Sequence, residues 1–146
     1  MKFNGTYKFQ SSREKIFDAL LNPDVLKGSI PGCVDSWWPD EQHMKVRIET
    51  PVPGLEGPYD ITIRVKESQK PDHMVLSIGR SGRIGGTIDI VTALDLAQET
   101  DGTQLAYDAN AEMSGPVAAA NNPIFIGMAK QSLKTFFKNL DKQLNK

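Results

Sequence analysis

Few residues in this 146-residue chain are of types that do chemistry, and their spacing does not bring them together. There are two histidines, His43 and His73, and one cysteine, Cys33. A zinc or iron site would need the histidines to converge with Cys33 or with carboxylates at ligand spacing, and no such spacing occurs. The expectation is no metal and no cofactor, with both histidines in solvent-facing positions beside turns. Cys33 would need a neighbouring base to act as a nucleophile, and none stands near it in sequence. It reads as a small apolar residue that opens a strand. Asp89 and Asp95 lie on one alternating stretch. At about 3.3 Å per residue they would stand roughly 20 Å apart, too far for joint acid–base work, and they read as outward-facing.

Arg80 and Arg83 sit among the glycines of Gly79 to Gly86. They are candidates to meet an anionic head group or a partner's acidic patch through charge-assisted hydrogen bonds. The plain alternative is a solvated hairpin tip. The stretch is not a phosphate-binding loop, because the glycine spacing is wrong and a strand follows where a helix should. Trp37 and Trp38 adjoin on a strand, so one faces in and one out. Alternation alone leaves open which is which; Trp37 is the one assigned to the inner wall.

These residues must be positioned by elements of two periods. Lys2 to Phe9 alternates and reads as a strand. Ser11 to Glu14 has the spacing of a capping box, and Ile16, Phe17, Ala19, Leu20 and Leu21 then form one face of a short helix. Asn22-Pro23 ends it. Asp24 to Lys27 forms a second short helix, stopped by Gly28 and Pro31-Gly32. From Val34 the period becomes two. Strands are predicted at Val34 to Trp38 and at Met44, Val46 and Ile48. Others follow at Tyr59, Ile61, Ile63 and Val65, at Met74, Leu76 and Ile78, and at Ile88, Ile90, Leu94 and Leu96. The last has an inner face of Leu105, Tyr107, Ala109, Ala111 and Met113. The chain ends in a helix from Asn122 to Leu144, about 33 Å long at 1.5 Å per residue. Ile126, Ala129, Leu133, Phe136, Phe137, Leu140 and Leu144 line one face, while Lys130, Lys134, Lys138, Asp141 and Lys142 lie off it.

An apolar stripe this wide must bury against something of like length, and only strands are available. The fold class is therefore α+β: a curved antiparallel sheet of about seven strands around a long C-terminal helix, with two short helices after the first strand. The inner residues of the strands are candidate walls of an apolar space between sheet and helix. They are Trp37, Met44, Val46, Ile48, Ile61, Ile63, Met74, Leu76, Ile78, Ile90, Tyr107 and Met113, with Met128 and Phe136 facing them from the helix. Ala106, Ala109 and Ala111 make the last strand small. That room is either filled by Phe136 and Phe137 or left as a cavity. Pro51 to Pro58, Gly79 to Gly86 and Gly115 to Asn122 are the loops through which a ligand would pass.

The totals narrow the classes. Seventeen basic and eighteen acidic residues leave a net charge of −1, which excludes a general electrostatic affinity for nucleic acid or anionic membrane. The expectation is a single domain over residues 1–146. Met1 to Gln10 lacks the apolar core of a signal peptide, and no run of about 18 apolar residues exists. A lone cysteine fits a reducing, cytoplasmic setting.

The order of elements resembles the START-like superfamily, also called helix-grip or SRPBCC. Within it the chain resembles the G-subunit family of carbon monoxide dehydrogenase, over almost its whole length. The resemblance rests on Met1-Lys2-Phe3-Asn4-Gly5, Asn22-Pro23-Asp24-Val25-Leu26, Ile30-Pro31-Gly32-Cys33, the Gly79 to Gly86 hairpin and Gly102-Thr103-Gln104-Leu105. It implies a helix-grip fold with an apolar cavity, and an accessory role beside the subunits of a molybdenum hydroxylase of the carbon monoxide dehydrogenase type. The superfamily mostly binds lipids, sterols, quinones and other apolar molecules. The expected function is thus non-catalytic binding of a quinone- or lipid-like small molecule. Two alternatives stand: a cyclase- or hydrolase-type enzyme on the same fold, and an assembly or interaction factor with no ligand. Against the enzyme, no nucleophile–base pair is readable. Some family members carry a C-terminal extension that attaches them to the membrane; this sequence stops at Lys146, which leaves peripheral membrane contact open. The Trp37-Trp38 pair also departs from the family's usual residues there.

Overall fold

The period-two stretches pair as one seven-stranded antiparallel sheet, and the long helix lies across it. The structure is a computed structural model that describes residues 2–49, 59–81, 87–115 and 123–145. In chain order it runs β1 (Lys2–Phe9), α1 (Arg13–Leu20), α2 (Pro23–Ser29), β2 (Cys33–Trp37), β3 (His43–Ile48), β4 (Tyr59–Gln69), β5 (His73–Ser81), β6 (Thr87–Glu99), β7 (Gly102–Ser114) and α3 (Pro123–Leu144). The sheet order is β1-β7-β6-β5-β4-β3-β2. Strands β2 to β7 follow one another as neighbours. Only β1 leaves this series: it pairs with β7 at the far edge, and α1 and α2 carry the chain from one edge to the other. The predicted α+β helix-grip architecture is the observed one.

Register decides which side chains face the helix. Leu94 stands opposite Tyr107, Met74 opposite Leu94, and Val65 opposite Leu76. A slip of one residue would turn every one of them outward. Irregular pairing between Cys33 and Asp35, and between Val65 and Glu67, bends the strands there and adds to the curvature. Before β2 the chain turns at Gly32, whose φ is +79° and where a Cβ would come within 2.3 Å of the Glu49 carbonyl oxygen. Only glycine meets both demands.

The larger of two core clusters lies under α1, α2 and the C-terminal half of α3. Phe9, Ile16, Met44, Leu105 and Leu140 are fully buried in it. The last turn of α2 leaves carbonyls without helical partners, and α3 supplies a donor to one of them and further bonds beside it. Asn139 donates to the Ser29 carbonyl at 3.0 Å, and Gln143 donates to the Val25 carbonyl at 2.9 Å and to the Ser29 hydroxyl at 2.5 Å. Asp141 accepts from the Gln10 backbone amide at 3.1 Å, which ties the helix to the end of β1.

The helix starts differ in part from the sequence reading. The residue that caps α1 is Ser12, with no side-chain cap bond, so the Ser11–Glu14 capping box does not form. Ser11 is drawn under the fold instead: its carbonyl accepts from the buried Thr103 hydroxyl at 2.8 Å. Asn22 does more than end α1. Its side chain accepts from the Asp24 amide at 3.0 Å and caps α2, with Pro23 in the first turn. The predicted cap at Asn122 and the loops from Pro51 to Pro58 and from Pro116 to Asn122 lie outside the described residues.

Candidate functional site

The inner face of the sheet changes character along the helix. Met44, Val46, Ile63, Met74 and Leu76 are buried in the main cluster, with Ile48, Ile61, Ile78, Tyr107 and Phe136 packed against it. Farther along, Ala109 and Ala111 form a second, smaller cluster with Phe3, against which Ile90, Tyr107 and Leu133 pack. Met113 continues that face, opposite Ile88. The side chains of Arg80 and Met128, and all of Arg83, lie outside the described residues.

Two sequence assignments are corrected here. Trp37 pairs with Lys45, and Asp35 with Arg47, so all four point to the outer face while Ser36 and Val46 point inward. The Arg47 guanidinium lies 5.2 Å from the Trp37 ring centroid, a cation–π contact on the side away from α3. Trp37 therefore lines no space under the helix. The bulge between Cys33 and Asp35 is the reason alternation could not settle its side. Ala106 pairs with Asp95 and Thr6, both exposed, and is also outward. The small inner residue beside Ala109 and Ala111 is instead Gly5, on β1.

Gly5 shapes what forms next to it. Tyr107 stands directly opposite and its ring leans over β1, so a Cβ on Gly5 would meet the Tyr107 hydroxyl at 2.6 Å. Glycine at this strand position admits a side chain where another residue would exclude it. Phe137 backs the same ring at 5.8 Å, and Tyr7 packs on Phe137 at 5.6 Å. Phe137, not Phe136, is the deep ring of the helix, at 3 % exposure. Between these rings, the backbone of the edge strand and α3 lies a cleft of about 280 Å³. Asn4, Gly5, Thr6, Tyr7, Tyr107, Lys130, Lys134 and Phe137 line it.

The charged groups of this cleft are the donors Lys130 and Lys134, joined by the hydroxyls of Tyr7 and Tyr107. Among the described residues neither tyrosine hydroxyl has a hydrogen-bond partner, and neither lysine has an ion-pair partner. Burial raises the pKa of Tyr107 above the ordinary 10.0. Burial, then the negative charge of Asp141, raises that of Tyr7. Both are neutral phenols near pH 7. A second hollow of about 270 Å³, lined by Glu41, Gln42, Arg64 and Val65, involves none of these residues.

Comparison with known proteins agrees with this architecture. The family profile of the carbon monoxide dehydrogenase G subunit (CoxG) matches residues 5–145. The chain belongs to the CoxG family. A crystal structure of a conserved protein from Geobacillus kaustophilus is similar to it at 28 % identity, covering 99 % of this chain and 95 % of that one, with a TM-score of 0.89. A START superfamily protein from Mycobacterium smegmatis has the same fold at 14 % identity, covering 99 % and 97 % of the two chains, with a TM-score of 0.74. No curated protein matches the sequence.

The remaining candidates of this CoxG chain stand apart from the cleft. His43 Nδ1 lies 3.0 Å from Asp40 at the start of β3. His73 Nδ1 lies 2.7 Å from Asp95 on the outer face, where Asp89 is exposed as well. The Asp95 hydrogen bond raises the His73 pKa above the ordinary 6.5. Cys33 opens β2 half-buried, with its thiol 3.3 Å from the Asp35 carbonyl, and burial pushes its pKa up. Among the described residues no three metal-ligating side chains gather, and no helix is long and apolar enough to cross a membrane. Gly5, Tyr7, Lys130 and Lys134 were not among the sequence candidates. The signals were present: a glycine inside a strand, and two lysines one turn apart with no acid within a turn of either.

Proposed function

We propose that this CoxG chain is a non-catalytic binding protein for an apolar small molecule of the quinone or lipid class, working in the cytoplasm as an accessory to a molybdenum hydroxylase of the carbon monoxide dehydrogenase type. The observation that carries the reading is the cleft between β1 and α3, where Gly5 lets the Tyr107 ring lean over the edge strand and, among the described residues, the hydroxyls of Tyr7 and Tyr107 have no hydrogen-bond partner. Apolar burial at about 25 cal/mol per Å² would drive binding, and the hydroxyls would orient the ligand. At about 280 Å³ the cleft lies just below the range of roughly 300–1,000 Å³ for sites that enclose a drug-sized ligand. It would hold one end of such a molecule, and the rest would run out along the edge strand. The enzyme reading has less support, since the described lining contains no histidine, cysteine or carboxylate.

Organic extraction of the purified protein, followed by mass spectrometry, tests this. The expected result is an apolar molecule near one per chain, retained through purification and displaced by a decyl-quinone or a fatty acid. A protein that yields nothing and binds neither probe in calorimetry is an interaction factor instead.

A further inference from the structure

Whatever enters the cleft at the β1 edge meets an unusual set of groups. Its only charged described residues are Lys130 and Lys134, one turn apart on α3. Like charges at that spacing repel. Positions three and four residues away from them hold Ile126, Gly127, Gln131, Leu133, Phe137 and Lys138, none acidic. The facing strand offers no carboxylate either: Asn4 and Thr6 are neutral, and the next cation along it, Lys8, is already engaged by Asp101 at 2.8 Å and by Glu99. The first acid farther along α3 is Asp141, about two turns beyond Lys134. It accepts from the Gln10 amide at 3.1 Å and the Asn145 amide at 2.8 Å, and its charge reaches Tyr7, but among the described residues it forms no ion pair with either lysine. The tyrosine hydroxyls add two neutral donors at the same place. Two lysines and two tyrosines thus line one cleft beside the apolar ring of Phe137, and no carboxylate side chain is present among the described lining.

We infer that this cleft is a head-group site for an amphipathic oxyanion, a carboxylate or phosphate monoester carried on an acyl-like tail. An oxyanion is acceptor-only and accepts from all four groups at once, and its charge relieves the repulsion between the lysines. A neutral quinone carbonyl would use the phenols and leave that repulsion in place. The volume fits a head group with its first methylenes, and the cleft lies at the sheet edge between β1 and α3. The inference rests on reading this cleft as the ligand site and narrows the ligand to its charged members.

Calorimetric titration at low salt with decanoate, decyl phosphate and decanol tests it. Both anions should bind more tightly than decanol, and the tighter of the two identifies the head group. In the double variant Lys130→Gln/Lys134→Gln, the anions should weaken by about tenfold or more, with decanol changed by less than about threefold. Salt should weaken the anions alone. The double variant Lys138→Gln/Lys142→Gln, farther along the same helix, should behave as the parent. Equal binding of decanol and the anions, unchanged in Lys130→Gln/Lys134→Gln, overturns the oxyanion inference and leaves apolar binding standing. Loss of anion binding in Lys138→Gln/Lys142→Gln instead also overturns it, by moving the contact to the outer helix surface. If none of the three probes binds, the apolar-ligand reading falls with it.

Discussion

The two halves of α3 lie on the same sheet and do different things. The C-terminal half rests on Phe9, Leu105 and α2, with Leu140 at 0 % exposure and its polar neighbours bonded to the end of α2. Toward the β1 edge the helix meets smaller side chains: Leu133 packs on Phe3, Ala109 and Ala111, and Lys130, Lys134 and Phe137 border the cleft beside Gly5 and Tyr107. Large inner side chains and two covering helices make the first region a core. Small inner side chains and an open sheet edge leave a cleft in the second. One helix can therefore anchor the fold at one end and border a cleft farther along, because packing energy follows local side-chain volume.

The largest effect that would break this contrast is on stability. Phe9→Ala should cost about 3–5 kcal/mol in denaturant unfolding, while Leu133→Ala should cost less than about half as much. Equal losses would mean that both halves are packed alike. Next is Ala111→Leu, which places a large side chain in the small cluster of Phe3 and Ala109, against which Tyr107 of the cleft packs. It should destabilise by about 1–3 kcal/mol, leave the chain folded by circular dichroism, and abolish uptake of an apolar ligand. Ligand binding at parental strength would place the bound molecule elsewhere. A smaller change is expected for Tyr107→Phe, which keeps the ring against Phe137 and removes one donor. Its affinity for an acceptor ligand should fall by about 0.5–1.5 kcal/mol in calorimetry, with stability unchanged.

The smallest effect belongs to the outer face behind the packed half. His73 has its pKa raised above 6.5 by the Asp95 hydrogen bond, so its charged form is favoured by folding. That contribution is complete below the unfolded value and is lost as pH rises through the folded one. Asp95→Asn should flatten the decline of Tm with pH above 6.5 and leave ligand binding untouched. A change in binding would connect the outer face to the cleft and blur the division drawn here.

The sequence by itself determined the elements and their faces. Period-two alternation from Met44 to Met113 and the three–four spacing of Leu133, Phe137, Leu140 and Leu144 dictate which side chains must be hidden, and hiding them leaves one sensible arrangement. The motifs around Asn22-Pro23 and Ile30-Pro31-Gly32 were legible as family marks, and Gly32 has a visible physical need for glycine. What sequence could not reach was the site. Trp37 is turned outward by a bulge that one residue of irregular pairing creates, and no periodicity reports a bulge. Gly5 and Tyr107 are 102 residues apart and become neighbours only because β1 crosses the sheet to pair with β7. Lys130 and Lys134 read as a solvated helix face until that edge strand is set beside them. Local pattern decides what each segment hides, whereas a cleft is the space that distant segments fail to fill, and that remainder exists only after the chain has closed on itself.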